Sequence, residues 1–453
     1  MWLREPQPPK FKKNRKTPRP TGTPLKEGKL DRIKKMKEQT EHIKQMAKQH
    51  FNEVVAIRRH LHQHPELSFN EFKTAEFVCS VLDKYNIPYT KGIVNTGIVA
   101  LIEGGASRVN STSSVTASAT KSKIVLLRAD LDALPIEEKN NVEYKSQNVG
   151  VMHACGHDAH TASVLGTAII LNQLKEQFEG TVKIIFQPGE EVLPGGASLM
   201  IKEGVLKKPN VDVALAQHVF PSMEVGKVGF RKGMYMASTD ELHITIIGKG
   251  GHAAMAGDYK NPIVVLAHII TEIEKAFPFA IDEEGVARNT ENNIPTVIAF
   301  GKVEAMGATN VIPEKAYLAG TLRTMDEVWR LTVKEKIKQI IENCCEKYNV
   351  TADINIENGY PFLVNDGAVT AKAQQAAIEY LGKENVENLP LRMTAEDFAY
   401  ISQEVPSCFY RLGTGNKQKG ITSGVHTSTF DIDEQALELS TGLMAWLALN
   451  ELK

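Results

Sequence analysis

From Gly97 to His218 the sequence alternates short apolar strands with helical stretches, and that alternation leaves few folds open. GIVALIE from Gly97, KIVLLRAD from Lys123, TVKIIFQ from Thr181 and VDVALAQHV from Val211 read as strands, KIVLLRAD as a strongly buried one. The stretch TAEFVCSVLDKY reads as a helix ahead of the first of these strands, and residues Thr161 to Gln177 and SLMIKEGVL read as intervening helices. Strands alternating with helices favour a mostly parallel sheet covered on both faces, an α/β architecture. In such sheets ligands gather beyond the carboxyl ends of the strands. Asp130, Asp132, the pair Glu190-Glu191 and His218 all fall at such ends, so one fold would bring them together.

From about Met234 the pattern changes to strand, helix, two strands, helix, strand. That βαββαβ order is the arrangement of a small ferredoxin-like domain, here inserted into the larger one. After about Gly359 the α/β alternation resumes and should return to the larger domain. The expected division is a basic tail over 1–28, a catalytic domain over 29–233 and 359–453, and the smaller domain over 234–358. The tail mixes Pro, Lys, Arg and Thr with almost no apolar residues, so it is expected to be a flexible, solvated segment whose removal near Gly28 keeps fold and activity. Met36 and Met46 are alternative starts. The Ser/Thr-rich run from Ala106 to Ser122 reads as an exposed, mobile hairpin extension that is dispensable for chemistry.

A formal net charge of -1 gives no steering field for nucleic acid or a membrane surface, which leaves small-molecule chemistry as the default. Five cysteines, odd in number and irregularly spaced, argue against a disulfide framework and for a reducing, cytoplasmic setting. No apolar run approaches the length of a membrane helix, and the N-terminus carries no apolar signal core.

The densest chemistry lies in MHACGHDAHTASVLGTA, Met152 to Ala168. Gly156 lets the backbone curl Cys155 and His157 inward together, and a thiolate with an imidazole suits a borderline-soft ion such as zinc. An amphipathic helix is expected to follow, with Asp158 as an N-terminal cap. Two donors are too few for a metal site, so the rest of the chain must supply more. Glu190 and Glu191 cannot point the same way on an extended segment, so one can bind metal while the other faces water. Asp130 and Asp132 share one face of their strand end, and Asp132 is placed to orient a ligand histidine. His60, His62 and His64 fall on different faces of a helix that ends at Pro65, which speaks against a metal cluster there.

The run RADLDALP, MHACGHDAHTA, FQPGEE, AQHV, GKGGHAA, GTLRT, AEDFA and VHT, in this order between His60 and Leu452, resembles the zinc-dependent amidohydrolases that include aminoacylases, hippurate hydrolases and indole-acetyl-amino-acid hydrolases. The resemblance implies metal ligands at Cys155, His157, Glu191, His218 and His426, with Glu190 as general base. Five donors of mixed type exceed one tetrahedral site and suit two divalent ions, zinc or manganese, about 3.5 to 4 Å apart. The implied reaction is hydrolysis of the amide joining an acyl group to an amino acid. The smaller domain would supply His252 as oxyanion donor to the partner subunit of a homodimer, acting as a lid and dimerisation domain. Asn310 and Arg323 match substrate-binding positions, where a guanidinium fork can hold a carboxylate. Glu396 and Asp397 are expected to hold the loop carrying His426. Thr394-Ala395 and Thr427-Ser428 stand where relatives carry Gly-Ser and Ser-Pro, departures that bear on substrate preference rather than catalysis. A dipeptidase or carboxypeptidase of the same architecture would need the same metals and the same Glu190. A catalytically silent metal-binding dimer is the remaining alternative, and the presence of every expected ligand and the base speaks against it.

Overall fold

Four strands whose residues are almost continuously buried form the centre of an eight-stranded sheet: Thr181–Gln187, Ile124–Asp130, Val213–Glu224 and Ser407–Gly415, adjacent in that order and parallel throughout. The computed structural model describes residues 27–105 and 122–453, so the basic run 1–26 and the Ser/Thr-rich run 106–121 lie outside the described residues. The GIVALIE strand, Gly97–Glu103, joins the margin antiparallel and pairs in turn with Tyr89–Ile93. Val228–Phe230, itself antiparallel to Ser407–Gly415, and Val386–Asn388 close the other margin.

Side chains alternate across this sheet and build two cores. Val125, Leu127 and Ala129 face helices Glu27–Gln63, His157–Gln173, Gly367–Leu381 and Gln435–Leu452, whereas Ile124 and Leu126 face the short helices Gly196–Lys202 and Phe398–Glu404. The expectation of an α/β sheet covered on both faces is borne out. The helix after the Cys155–His157 turn is not amphipathic, however: it begins at His157, and every residue from His157 to Leu171 is buried. It is enclosed by the sheet and by helices Glu27–Gln63 and Gln435–Leu452. Its polar residues face protein, not water, since Ser163 Oγ lies 2.7 Å from Ser440 Oγ and Thr167 Oγ1 donates to Thr441 O at 3.0 Å. Gly166 permits this close approach, because a Cβ there would sit 2.8 Å from Thr441 Cγ2.

The second sheet has the order Thr296–Glu304, Lys315–Thr324, Asp240–Ile247, Thr351–Asn358 and is antiparallel throughout. Helices Pro262–Ala276 and Glu327–Tyr348 cover one face over a core that includes Leu242, Ile244, Ile269, Leu318 and Ile337, giving the expected βαββαβ order. Asn261 and Asp326 cap the two helices, accepting from Ile263 N and Trp329 N. Among the described residues no helix is long and apolar enough to cross a membrane.

Candidate metal centre

The turn before the buried helix is set by Gly156, whose φ of +85° is favourable for glycine alone. This turn delivers Cys155 and His157 beyond the carboxyl ends of the parallel strands. Val213–Glu224 brings His218, the segment after Thr181–Gln187 brings Glu190 and Glu191, and the loop after Ser407–Gly415 brings His426. His426 adopts a φ of +61° and donates its backbone N–H to Ala154 O at 2.8 Å, which seats it over Cys155.

All five expected donors converge. Cys155 Sγ lies 3.4 Å from His218 Nε2 and 3.3 Å from His426 Nε2, and His426 Nε2 lies 3.2 Å from Glu191 Oε1. His157 Nε2 stands 3.9 Å from both Glu190 Oε2 and Glu191 Oε1. Ligand-capable atoms of Cys155, His157 and His218 lie within 4.8 Å of one another, as do those of Cys155, Glu191 and His426 and those of His157, Glu190 and Glu191.

The hydrogen bonds of the histidines fix which ring nitrogen is offered. His157 Nδ1 donates to Asp132 O at 2.8 Å and to Asp132 Oδ1 at 3.1 Å, and His218 Nδ1 donates to Val219 O at 2.8 Å, so both rings present Nε2 to the cluster. His157 Nε2 is buried without a hydrogen-bond partner, a costly state unless a cation completes it. The donor set of sulfur, nitrogen and oxygen therefore fits two divalent ions. In the chain alone, burial and then the charges of Glu396, Glu191 and Asp397 hold Glu190 well above the usual carboxylate range. Burial and Glu191 likewise push the Cys155 thiol up. Bound cations act in the opposite sense on both groups.

The neighbouring aspartates divide the work. Asp132 also accepts from Ser68 Oγ at 2.7 Å and from Glu191 N at 3.0 Å, while Asp130 accepts from His160 Nδ1 at 2.7 Å. Two expectations are corrected here. Asp158 is no helix cap; its carboxylate accepts from Arg58 Nε and His62 Nδ1, both at 2.8 Å, so His62 is a buried structural partner. Glu396 and Asp397 do not hold the His426 loop. Arg128 Nη2 reaches Glu396 at 2.9 Å and Asp397 at 2.8 Å, and Asp397 also accepts from Gln187 Nε2 and Ala197 N. The loop is held instead by Ala154 and by Lys139 N and Asn140 Nδ2, which donate to Ser428 O and Phe430 O. Arg128, absent from the sequence reading, is the buried cation joining Asp130 to Asp397.

The cluster opens into a cavity of about 680 Å³, lined on one side by Cys155, Glu190, Glu191, His218 and His426 and on the other by Glu241 and Arg323 of the smaller sheet. Thr394 and Ala395 line it too. A cavity of similar volume at the outer edge of the large sheet, beside Tyr89 and Lys183, holds none of the clustered donors. His252 and Asn310 do not line the metal cavity. They lie side by side, exposed, on the short ribbon formed by Gly251–His252 and Val311–Ile312, with Ala253 N donating to Asn310 O at 3.0 Å.

An α/β scaffold with an inserted ferredoxin-like domain and a two-ion donor cluster at the parallel strand ends defines a metal-dependent hydrolase architecture. Residues 126–450 match the model of peptidase family M20/M25/M40, and the chain belongs to that family of metal-dependent hydrolases, as an enzyme acting on amide bonds. It is 37% identical over 325 residues to an N-acyl-L-amino acid amidohydrolase of Geobacillus stearothermophilus, covering 72% of this chain and 81% of the relative. It is 34% identical over 426 residues to thermostable carboxypeptidase 2 of Saccharolobus solfataricus, covering 93% and 99%. The crystal structure of the Bacillus subtilis YXEP protein, described as a dinuclear metal binding peptidase from the M20 family, superposes with a TM-score of 0.72 at 31% identity, covering 89% of this chain and 99% of that one.

Proposed function

We propose that this enzyme hydrolyses the amide bond of N-acyl amino acids, with Glu190 as general base and Cys155, His157, Glu191, His218 and His426 holding two divalent ions, zinc or manganese. The observation that carries the reading is the buried, unpartnered His157 Nε2, whose ligand atom lies within 4.8 Å of carboxylate oxygens of both Glu190 and Glu191. When bound, the ions would polarise the scissile carbonyl and acidify the attacking water. Glu190 is the carboxylate left over once Glu191 is committed as a ligand. Its Oε2 lies on the His157 side of the cluster and its backbone carbonyl accepts from Tyr360 Oη at 2.5 Å, which steadies it. It takes the proton of the attacking water and returns it to the departing amine. Arg323 faces the cavity from the smaller sheet, where its guanidinium is placed to take the substrate α-carboxylate.

His252 and Asn310 act, in this proposal, across a homodimer: both are exposed on the smaller domain and neither reaches the cavity of its own chain, so a second copy would bring them to it. A cytoplasmic setting follows from the sequence and is part of the same proposal. A carboxypeptidase or dipeptidase activity is the second reading, favoured by the likeness to a carboxypeptidase over nearly the full chain. Release of free amino acid from a panel of N-acyl amino acids and dipeptides, with metal added or chelated, separates the two. Metal-dependent release from N-acyl amino acids is expected, and release from dipeptides alone would overturn the leading reading.

A further inference from the structure

Among the described residues, most buried or half-buried arginines have carboxylate partners. Arg58 meets Asp158 and Asp431, Arg128 meets Asp130 and Asp397, and Arg330 meets Asp240. The metal cavity is the exception. Arg392 and Arg411 both line it, and among the described residues neither guanidinium forms an ion pair. Arg411 is 4% exposed; its Nε donates to Tyr235 Oη at 3.0 Å and its Nη2 contacts Met236 Sδ at 3.1 Å. The Cζ of Arg392 lies 4.9 Å from the Phe220 ring centroid, and its Nε is buried with no hydrogen-bond partner. Backbone contacts hold the pair in register, since Arg392 N donates to Tyr235 O at 3.0 Å and Arg411 lies beside His218 on the neighbouring strand.

Two like charges, one buried and one half-buried, set against aromatic rings without a counter-ion are costly unless an anion completes them. Stacking on Phe220, Tyr235 and Phe409 offsets part of that cost but leaves the unpaired donor of Arg392 unsatisfied. Arg323 differs in that Glu241 and Asp240 lie near it as counter-charges, and it enters from the opposite, smaller-sheet wall. We infer that Arg392 and Arg411 form a second anion subsite in the cavity, which selects amide substrates bearing a carboxylate in addition to the α-carboxylate. This rests on the reading of the cavity as an N-acyl amino acid site and adds the charge of the preferred substrate. A planar guanidinium fork suits a carboxylate geometrically, and a subsite built for a charge rejects the uncharged isostere strongly.

The test uses two pairs of near-isosteric compounds that differ in one carboxylate: N-acetyl-L-glutamate against N-acetyl-L-glutamine, and N-succinyl-L-alanine against N-butanoyl-L-alanine. In the metal-loaded enzyme at least one charged member should exceed its neutral partner in kcat/KM by about tenfold or more, mainly through KM. That ratio should collapse towards one in Arg392→Met and recover in part in Arg392→Lys. Taking the ratio within each variant cancels any general loss of folding or turnover. Equal rates within both wild-type pairs, or a ratio unmoved by Arg392→Met, would overturn the inference. If none of the four compounds is hydrolysed, the catalytic reading fails by itself, and binding to the metal-loaded protein then decides the subsite: charged members must bind about tenfold more tightly, and equal binding overturns it.

Discussion

At Asp132 a single carboxylate and its own carbonyl organise three parts of the centre, accepting from His157 Nδ1, Ser68 Oγ and Glu191 N. Removing the carboxylate leaves the imidazole free to turn and the Glu191 backbone without its anchor. Asp132→Ala should therefore weaken metal binding about 10-fold to 100-fold, measured by competition with a chelator, and unchanged affinity would show that the backbone carbonyl suffices. Asp132 was legible because alternation along a strand end places it on the ligand side. Asp158 was not. Its position at a helix start looks like a cap, and the residues that claim it, Arg58 and His62, lie 100 and 96 positions away in the sequence. Arg128 is hidden for the same reason, since its partners Glu396 and Asp397 belong to the returning half of the chain. Charge pairing over such separations leaves no local pattern.

The turn and helix from Cys155 to Gln173 form one element that carries two of the clustered donors and packs in the interior. A β-carbon at Gly156 would meet Val219 Cγ2 at 2.6 Å, and the positive φ adds backbone strain to that clash. Gly156→Ala is expected to cost about 1–3 kcal/mol in urea unfolding and to lower metal content, because Val219 is the neighbour of His218, one of the proposed ligands. A variant of wild-type stability and full metal content would remove this turn from the account. Strands with uninterrupted apolar runs were read correctly because continuous burial writes itself into composition. The helix was misread as amphipathic because Ser163 and Thr167 resemble a solvent face, whereas they hydrogen-bond into helix Gln435–Leu452. A polar residue in a sequence does not say whether its partner is water or another helix.

Across the whole molecule, the cavity exists because the smaller sheet, inserted between two halves of the larger fold, places Arg323 and Glu241 opposite the metal donors. The change from α/β alternation to βαββαβ made that insertion legible. What one chain's sequence could not display is how far His252 and Asn310 lie from its own cavity, since strand order alone carries no distance. The proposed function turns on one claim, that Glu190 moves the proton while its neighbour Glu191 binds metal. The direct measurement is metal content and turnover of Glu190→Gln with an N-acyl amino acid substrate. Two ions per chain with kcat lowered about 100-fold to 10,000-fold is the predicted result, as for a positioned general base. Undiminished turnover in that variant would contradict the account, and loss of the ions would show that Glu190 is itself a ligand.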